Sequence, residues 1–140
     1  EFRRVLFRSN IASTNSYRPQ PHQSAYTASK GAVNALTRQL ATDYGRYNIR
    51  VNTIVLGIVI CNERMEAAFS HPVLKEESIK SLCVNRLGTG DDVGHAAAFL
   101  ASDQATYITG IELLVEGGQS AKVPMPSLDD GWQTAADAAK

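Results

Sequence analysis

The sequence is short of most features that assign a protein at a glance. It has one tryptophan, two cysteines and no excess of either charge, with fourteen Lys and Arg against fourteen Asp and Glu in 140 residues. That balance, without a basic stripe, argues against nucleic acid or an anionic membrane as the main partner. The longest apolar run, IVLGIVIC at 54–61, falls well short of the ~20 residues a bilayer span needs, and no apolar secretory core follows the first residues. Cys61 and Cys83 lack the paired spacing of a zinc site, so no metal is expected. Two thiols without an export signal are expected to be reduced, which points by default to the cytoplasm.

The opening EFRRVLFRS carries charges and large apolar residues with neither helical nor alternating order. Residues 1–9 therefore read as a non-native tag that should contribute no sheet pairing, with native text beginning inside an element at Asn10 and its upstream part cut away. From there the chain alternates strand and helix signals. A strand end at Ser13 leads into a proline-containing polar loop, where Tyr17, Arg18 and Gln20 either shape a substrate mouth or are simply solvated. A helix capped by Ser24 follows, its apolar face formed by Ala28, Val33, Leu36, Leu40 and Tyr44, and Gly45 is expected to stop it. IRVNTIVLG at 49–57 is a β-branched run short enough for a buried strand.

The stretch from Cys61 to Val84 is irregular, with two short amphipathic pieces broken at Pro72, and reads as a lid. Met65 and Phe69 share one face of it and either close over substrate or pack. His22 and His71 lie in polar loops with no specific role indicated, and both cysteines read as small packed side chains. GDDVGHAAAFLAS predicts a helix capped by Asp91 or Asp92, with Val93, Ala96, Ala97 and Leu100 facing the core. A last strand lies within IELLVEGG at 111–118, and residues 120–140 are expected to form a flexible tail. Strand, helix, strand, lid, helix, strand is the order of an α/β fold with a parallel sheet, the C-terminal half of a doubly wound, Rossmann-like sheet with helices on both faces.

Tyr26 and Lys30 stand four residues apart at the start of the first helix, on one face. Roughly one chain in five of this composition carries such a pair by chance, so the spacing alone is weak. Its chemistry is specific, however. A cation about 5 Å from a phenol favours the phenolate by roughly 3 kcal/mol at an effective dielectric near 20, which suits the phenol to general acid–base work near neutral pH.

Taken together, several blocks resemble the short-chain dehydrogenase/reductase family from about Asn10 to Gln119. NIAS resembles the strand end that carries the family's catalytic serine, YTASKGAVNALTRQLA its active-site helix, IRVNTIVLG its next strand, and RLGTGDDVGHAAAFLASDQATYITGIELLVEGG its closing helix and strand. The resemblance implies an oxidoreductase that moves hydride between NAD or NADP and a small alcohol or carbonyl compound. It implies Tyr26 as acid–base, Lys30 as the cation that acidifies it and binds the nicotinamide ribose, and Ser13 as a hydrogen-bond donor to the substrate oxygen. It also implies cofactor contacts from Leu56, Gly57, Val59 and Cys61, and a homo-oligomer, dimer or tetramer.

The departures are definite. Where the family has Pro-Gly and then threonine, this chain has Leu56-Gly57 and then Cys61, losing a rigid turn and a hydroxyl. No Gly-x-x-x-Gly-x-Gly occurs in the sequence, so nothing in it cradles a pyrophosphate. Two other readings stand beside the oxidoreductase. One is a catalytically incompetent fragment that keeps only assembly surfaces. The other, disfavoured by the short sequence after VEGG, is a sugar-nucleotide epimerase or dehydratase.

Overall fold

A computed structural model describes residues 6–122. Its centre is a three-stranded parallel sheet in the order β1 (Leu6–Ser13), β2 (Ile49–Leu56), β5 (Glu112–Val115). Between β1 and β2 runs α1 (Ser24–Tyr44); between β2 and β5 come β3 (Val59–Ile60), α2 (Glu63–Phe69), α3 (Pro72–Lys80), β4 (Gly88–Thr89) and α4 (Gly90–Ala101). Strands β3 and β4 pair in parallel as a separate two-stranded sheet. This is the α/β layering the alternating signals predict.

Strand β2 is the core of the molecule because it is paired on both edges and covered by helices. Val51, Ile54 and Val55 are fully buried there, and Leu100 of α4 is buried with them. Its polar residues are buried too, and each has a partner. The Asn52 carboxamide donates to the Ile108 carbonyl at 3.0 Å and accepts the Ile111 N–H at 3.2 Å, while Arg50 donates to the carbonyls of Ile108 and Ser102. Asn52 thereby pins the turn that launches β5, a structural use of a buried amide that would otherwise be costly.

Helix α1 lies where the periodicity predicts, but it is rolled about its axis. Asn34 and Thr37 are its buried residues, whereas Leu36 is 52% exposed and Tyr44 44% exposed. The reason lies in the sheet beneath. The register Asn10↔Thr53 places two polar side chains under the helix, and Thr37 accepts a hydrogen bond from each, 2.8 Å from the Asn10 amide and 2.6 Å from the Thr53 hydroxyl. A polar seam therefore faces a polar seam, and of the apolar stripe that was expected to dock, Ala28, Leu36 and Tyr44 are left outside while Val33 and Leu40 are half-buried.

The helix ends also differ from expectation. Gln23, not Ser24, is the N-cap of α1, and it makes no side-chain capping bond; Ser24 is the first helical residue. α1 stops at Tyr44 with Gly45 as its C-cap, as expected, but Gly45 stays right-handed and continues into a 3-10 turn over Gly45–Tyr47, and the left-handed residue that turns the chain is Asn48, at φ 59°. Asparagine tolerates that conformation by local hydrogen bonding. In α4 the cap is Thr89, and Asp92 acts from the third helical position, its carboxylate accepting the Thr89 N–H at 2.8 Å. Pro72 opens α3, where its missing N–H costs nothing.

At the N-terminus, Leu6 to Ser9 continue β1 and stay in register with Ile49 to Asn52, contrary to the expectation that this stretch would not pair. A parallel edge adds ladder bonds whatever its side chains, so two exposed apolar residues, Leu6 and Phe7, do not prevent it. At the other end, Ser120 to Lys122 form a turn bonded back to Glu116 and Gly118, so the expected tail begins no earlier than 123. The rest of the expected tail lies outside the described residues.

Candidate active site

Three parallel strands end level with one another: Ser13 is paired with Leu56, and Leu56 with Val115. Ligands in such sheets gather at these carboxyl ends. Ser13 caps the 3-10 turn Thr14–Ser16, its hydroxyl oxygen accepting the Asn15 N–H at 3.3 Å. The loop then turns back through His22, at φ 64°, into α1.

Tyr26 sits in the first turn of α1 and is 45% exposed. One turn later, the Lys30 ammonium stands 5.6 Å from the Tyr26 ring centroid. It also donates a 3.1 Å hydrogen bond to the Ile11 carbonyl, two residues before Ser13. Lys30 thus ties the helix bearing the phenol to the strand bearing the serine. The Asn15 side chain donates to Gln23 Oε1, and Asn34 donates to both Ser16 Oγ at 3.1 Å and Glu112 Oε2 at 2.8 Å. Arg38 completes the group with an ion pair to Glu112. These bonds hold the serine loop, α1 and β5 to one another.

The second predicted segment is less closely joined. Beyond the ladder pairing of Leu56 with Ser13, no side-chain hydrogen bond among the described residues links Leu56, Gly57, Val59 or Cys61 to Ser13, Tyr26 or Lys30. The Gly57 N–H continues the β5 ladder by donating to the Val115 carbonyl, and a Cβ at Gly57 would lie 2.7 Å from Glu116 Cβ, so packing alone requires glycine. Val59 is buried in β3 opposite Gly88. Cys61 and Cys83 are both exposed, which corrects their reading as packed side chains.

Beside this site opens a cavity of about 730 Å³ walled by the loop after Ser13, the end of α3 and the turn after β5. The sequence reading placed Gln119 at the very end of the fold and gave it no part in the site. Gly117 at φ 63° and Gly118 at φ 77° reverse the chain there, so that Gln119 accepts a hydrogen bond from Thr14 Oγ1 and its carbonyl accepts one from Arg18. The glycine pair was the available signal. Asn34 and Glu112 carried none, since nothing in one sequence marks which polar residue of an amphipathic helix turns inward. Among the described residues no three His, Cys, Asp or Glu converge on a metal site, and no helix is long and apolar enough to cross a membrane.

The chain is similar in sequence and fold to known proteins. The sequence profile of the enoyl-(acyl carrier protein) reductase family matches residues 9–120. The chain is 39% identical over 111 residues to 3beta-hydroxysteroid dehydrogenase 1 of Eggerthella lenta, a match covering 79% of this chain and 42% of that protein. The fold superposes on 4-hydroxyisoleucine dehydrogenase complexed with NADH at a TM-score of 0.79 and 35% identity, covering 84% of this chain and 48% of the other. It superposes on gluconate 5-dehydrogenase from Burkholderia cenocepacia, in complex with NADP and tartrate, at 0.75 and 30% identity, covering 84% and 46%. The chain spans less than half the length of these relatives. With the profile matched over most of its length, the chain belongs to the short-chain dehydrogenase/reductase family.

Proposed function

We propose that this chain serves as the C-terminal half of an NAD(P)-dependent oxidoreductase acting on a small alcohol or its carbonyl counterpart. The observation that carries the proposal is the position of Lys30, 5.6 Å from the Tyr26 ring and bonded to the backbone just before Ser13. A nicotinamide cofactor, NAD or NADP, supplies or accepts the hydride. In oxidation Tyr26 takes the hydroxyl proton of the substrate, and in reduction it returns one to the carbonyl oxygen. The Lys30 ammonium places a positive charge beside the ring throughout. Ser13 accepts the Asn15 N–H through its oxygen, which leaves its own proton to donate to the substrate oxygen as alkoxide charge develops.

The residues present suit one end of the cofactor. Lys30 uses one of its three donors on the Ile11 carbonyl, and the other two are free to take ribose hydroxyls. Tyr26 and the segment of Leu56, Gly57, Val59 and Cys61 complete the proposed nicotinamide side. The pyrophosphate needs a glycine-rich helix start that this sequence does not contain. The similar proteins carry names that differ in substrate, a hydroxysteroid, a hydroxy amino acid and a sugar acid, so the substrate is set by local residues around the shared centre. The exposed stripe of α1, including Leu36 and Tyr44, is the proposed contact for a homo-oligomer, and the cytoplasm is the proposed compartment.

Tyr26→Phe in a full-length protein carrying this chain tests the reading. Turnover should fall by about 10²- to 10⁴-fold, while NADH binding, followed by fluorescence titration, stays within a few-fold. Retention of near-wild-type turnover refutes the acid–base role. The partial coverage of every relative named above favours a second reading for the isolated chain, that it neither binds dinucleotide nor turns over. Micromolar NAD(H) or NADP(H) binding by the monodisperse 140-residue chain, measured by titration calorimetry, refutes that.

A further inference from the structure

We infer that the cavity beside Ser13 receives a substrate carboxylate, with Arg18 as its principal ligand, so that the substrate is a compact hydroxy acid or the matching oxo acid. The inference rests on the oxidoreductase reading for the other end of the substrate. Thr14 and Asn15, which line the cavity, follow Ser13 directly, and the Asn15 side chain is bonded to Gln23, three residues before Tyr26. A substrate with its hydroxyl at Tyr26 and Ser13 therefore extends into this space.

At about 730 Å³ the cavity has the size of a small-molecule site. Its lining combines the polar groups of Thr14, Asn15, Arg18 and Gln119 with apolar surface from Tyr17, Pro19 and the side-chain stems. The polar groups among them can orient a ligand by hydrogen bonds.

Its charge points the same way. Arg18, Lys80 and Lys122 line the cavity against a single carboxylate, Glu77. Lys80 is committed, paired to Glu76 at 2.9 Å and Glu77 at 3.0 Å and pushed up to about 12 by those hydrogen bonds. The surplus falls on Arg18 and Lys122, neither of which has a carboxylate partner among the described residues. Lys122 spends its ammonium on the backbone carbonyls of Lys80 and Leu82. Arg18 bonds the carbonyls of Gln119 and Lys122, both through Nη1. That ties the guanidinium to the turn after β5 while leaving Nη2 and Nε without a partner among the described residues, and a planar fork held in this way suits two-point recognition of a carboxylate.

The test uses the full-length enzyme with lactate, 3-hydroxybutyrate and gluconate, each compared with its neutral methyl ester, and with 3-hydroxybutyryl-CoA as a phosphate-bearing anion. At least one acid should exceed its ester in kcat/KM by tenfold or more. Arg18→Gln should lower that ratio by about ten- to a hundredfold, chiefly through KM, and Arg18→Lys should restore part of it. An ester as good as every acid, an unchanged ratio in Arg18→Gln, or preference for the CoA thioester overturns the proposal. Titration calorimetry with the same acids separates the two readings. Arg18-dependent binding without turnover of any alcohol keeps the carboxylate pocket and removes the oxidoreductase reading. Turnover of neutral alcohols without Arg18-dependent binding does the reverse, and neither binding nor turnover removes both.

Discussion

Replacing Thr37 by valine removes one oxygen from the seam between α1 and the sheet while keeping the side chain's shape. Thr37 and Thr53 are both fully buried, and the single Thr37 oxygen accepts the Thr53 hydroxyl at 2.6 Å and the Asn10 amide at 2.8 Å. In the variant both donors lose their acceptor. A buried unsatisfied donor costs about 1–3 kcal/mol, which applies in full to Thr53 and in part to half-buried Asn10. The added methyl recovers about 1 kcal/mol of burial, leaving a net loss of about 1–3 kcal/mol. At about 3 °C per kcal/mol for a chain of this size, Tm should fall by about 3–9 °C. Thr37→Val/Thr53→Val removes donor and acceptor together and leaves only Asn10 stranded. In a urea titration followed by circular dichroism it should be less destabilised than the sum of the single variants by about 1 kcal/mol or more. Additive single variants, or a Thr37→Val change below about 0.5 kcal/mol, refute the account of how α1 is seated.

Three further outcomes are expected. Lys30→Ala should weaken both turnover and cofactor affinity in the full-length protein, since the ammonium faces the phenol and has donors to spare; lost turnover with unchanged NADH affinity contradicts the ribose contact. Gly118→Ala should destabilise by about 2 kcal/mol or more, because the residue sits at φ 77° and its Cβ would lie 2.6 Å from Cys83 Cβ; a neutral urea midpoint refutes this. The Asp92 carboxyl is held well below the usual carboxylate range, first by Arg86 and then by the Thr89 N–H and hydroxyl. A depressed folded-state value means that its stabilisation is complete above the ordinary carboxylate pKa of ~3.9 and is lost as pH falls below it. Urea midpoints between pH 2 and 6 should therefore drop on the acid side more steeply in the wild type than in Asp92→Asn, and parallel curves refute the link.

What was legible in the sequence followed from local chemistry. The β-branched run of β2, the proline that opens α3 and the four-residue spacing of Tyr26 and Lys30 all act over a turn or less, and each appears where it was expected. What was not legible depended on partners distant in the chain. Leu36, Leu40 and Tyr44 form the better apolar stripe of α1, yet Asn34 and Thr37 are buried because Ser16, Glu112, Asn10 and Thr53 meet them across 16 to 78 residues. A two-residue pairing such as Val59 with Gly88 is too short to mark itself. The wall supplied by Gln119 and Lys122 exists only once the glycine pair has turned the chain back toward Arg18.

The all-parallel sheet bears on how the chain reaches its fold. Leu6 pairs with Ile49, and Thr53 with Glu112, so each pairing of the three-stranded sheet must close a loop of forty residues or more before any of its ladder bonds forms. Among the described residues no hairpin is available as a fast local nucleus, the pattern of a slow folder of high contact order. During synthesis, β1, α1 and β2 are all made before β5, and until residues 108–111 arrive the Asn52 amide and the far edge of β2 have no protein partner. That interval, with a half-paired hydrophobic strand at an open edge, is when the nascent chain most needs shielding from its neighbours.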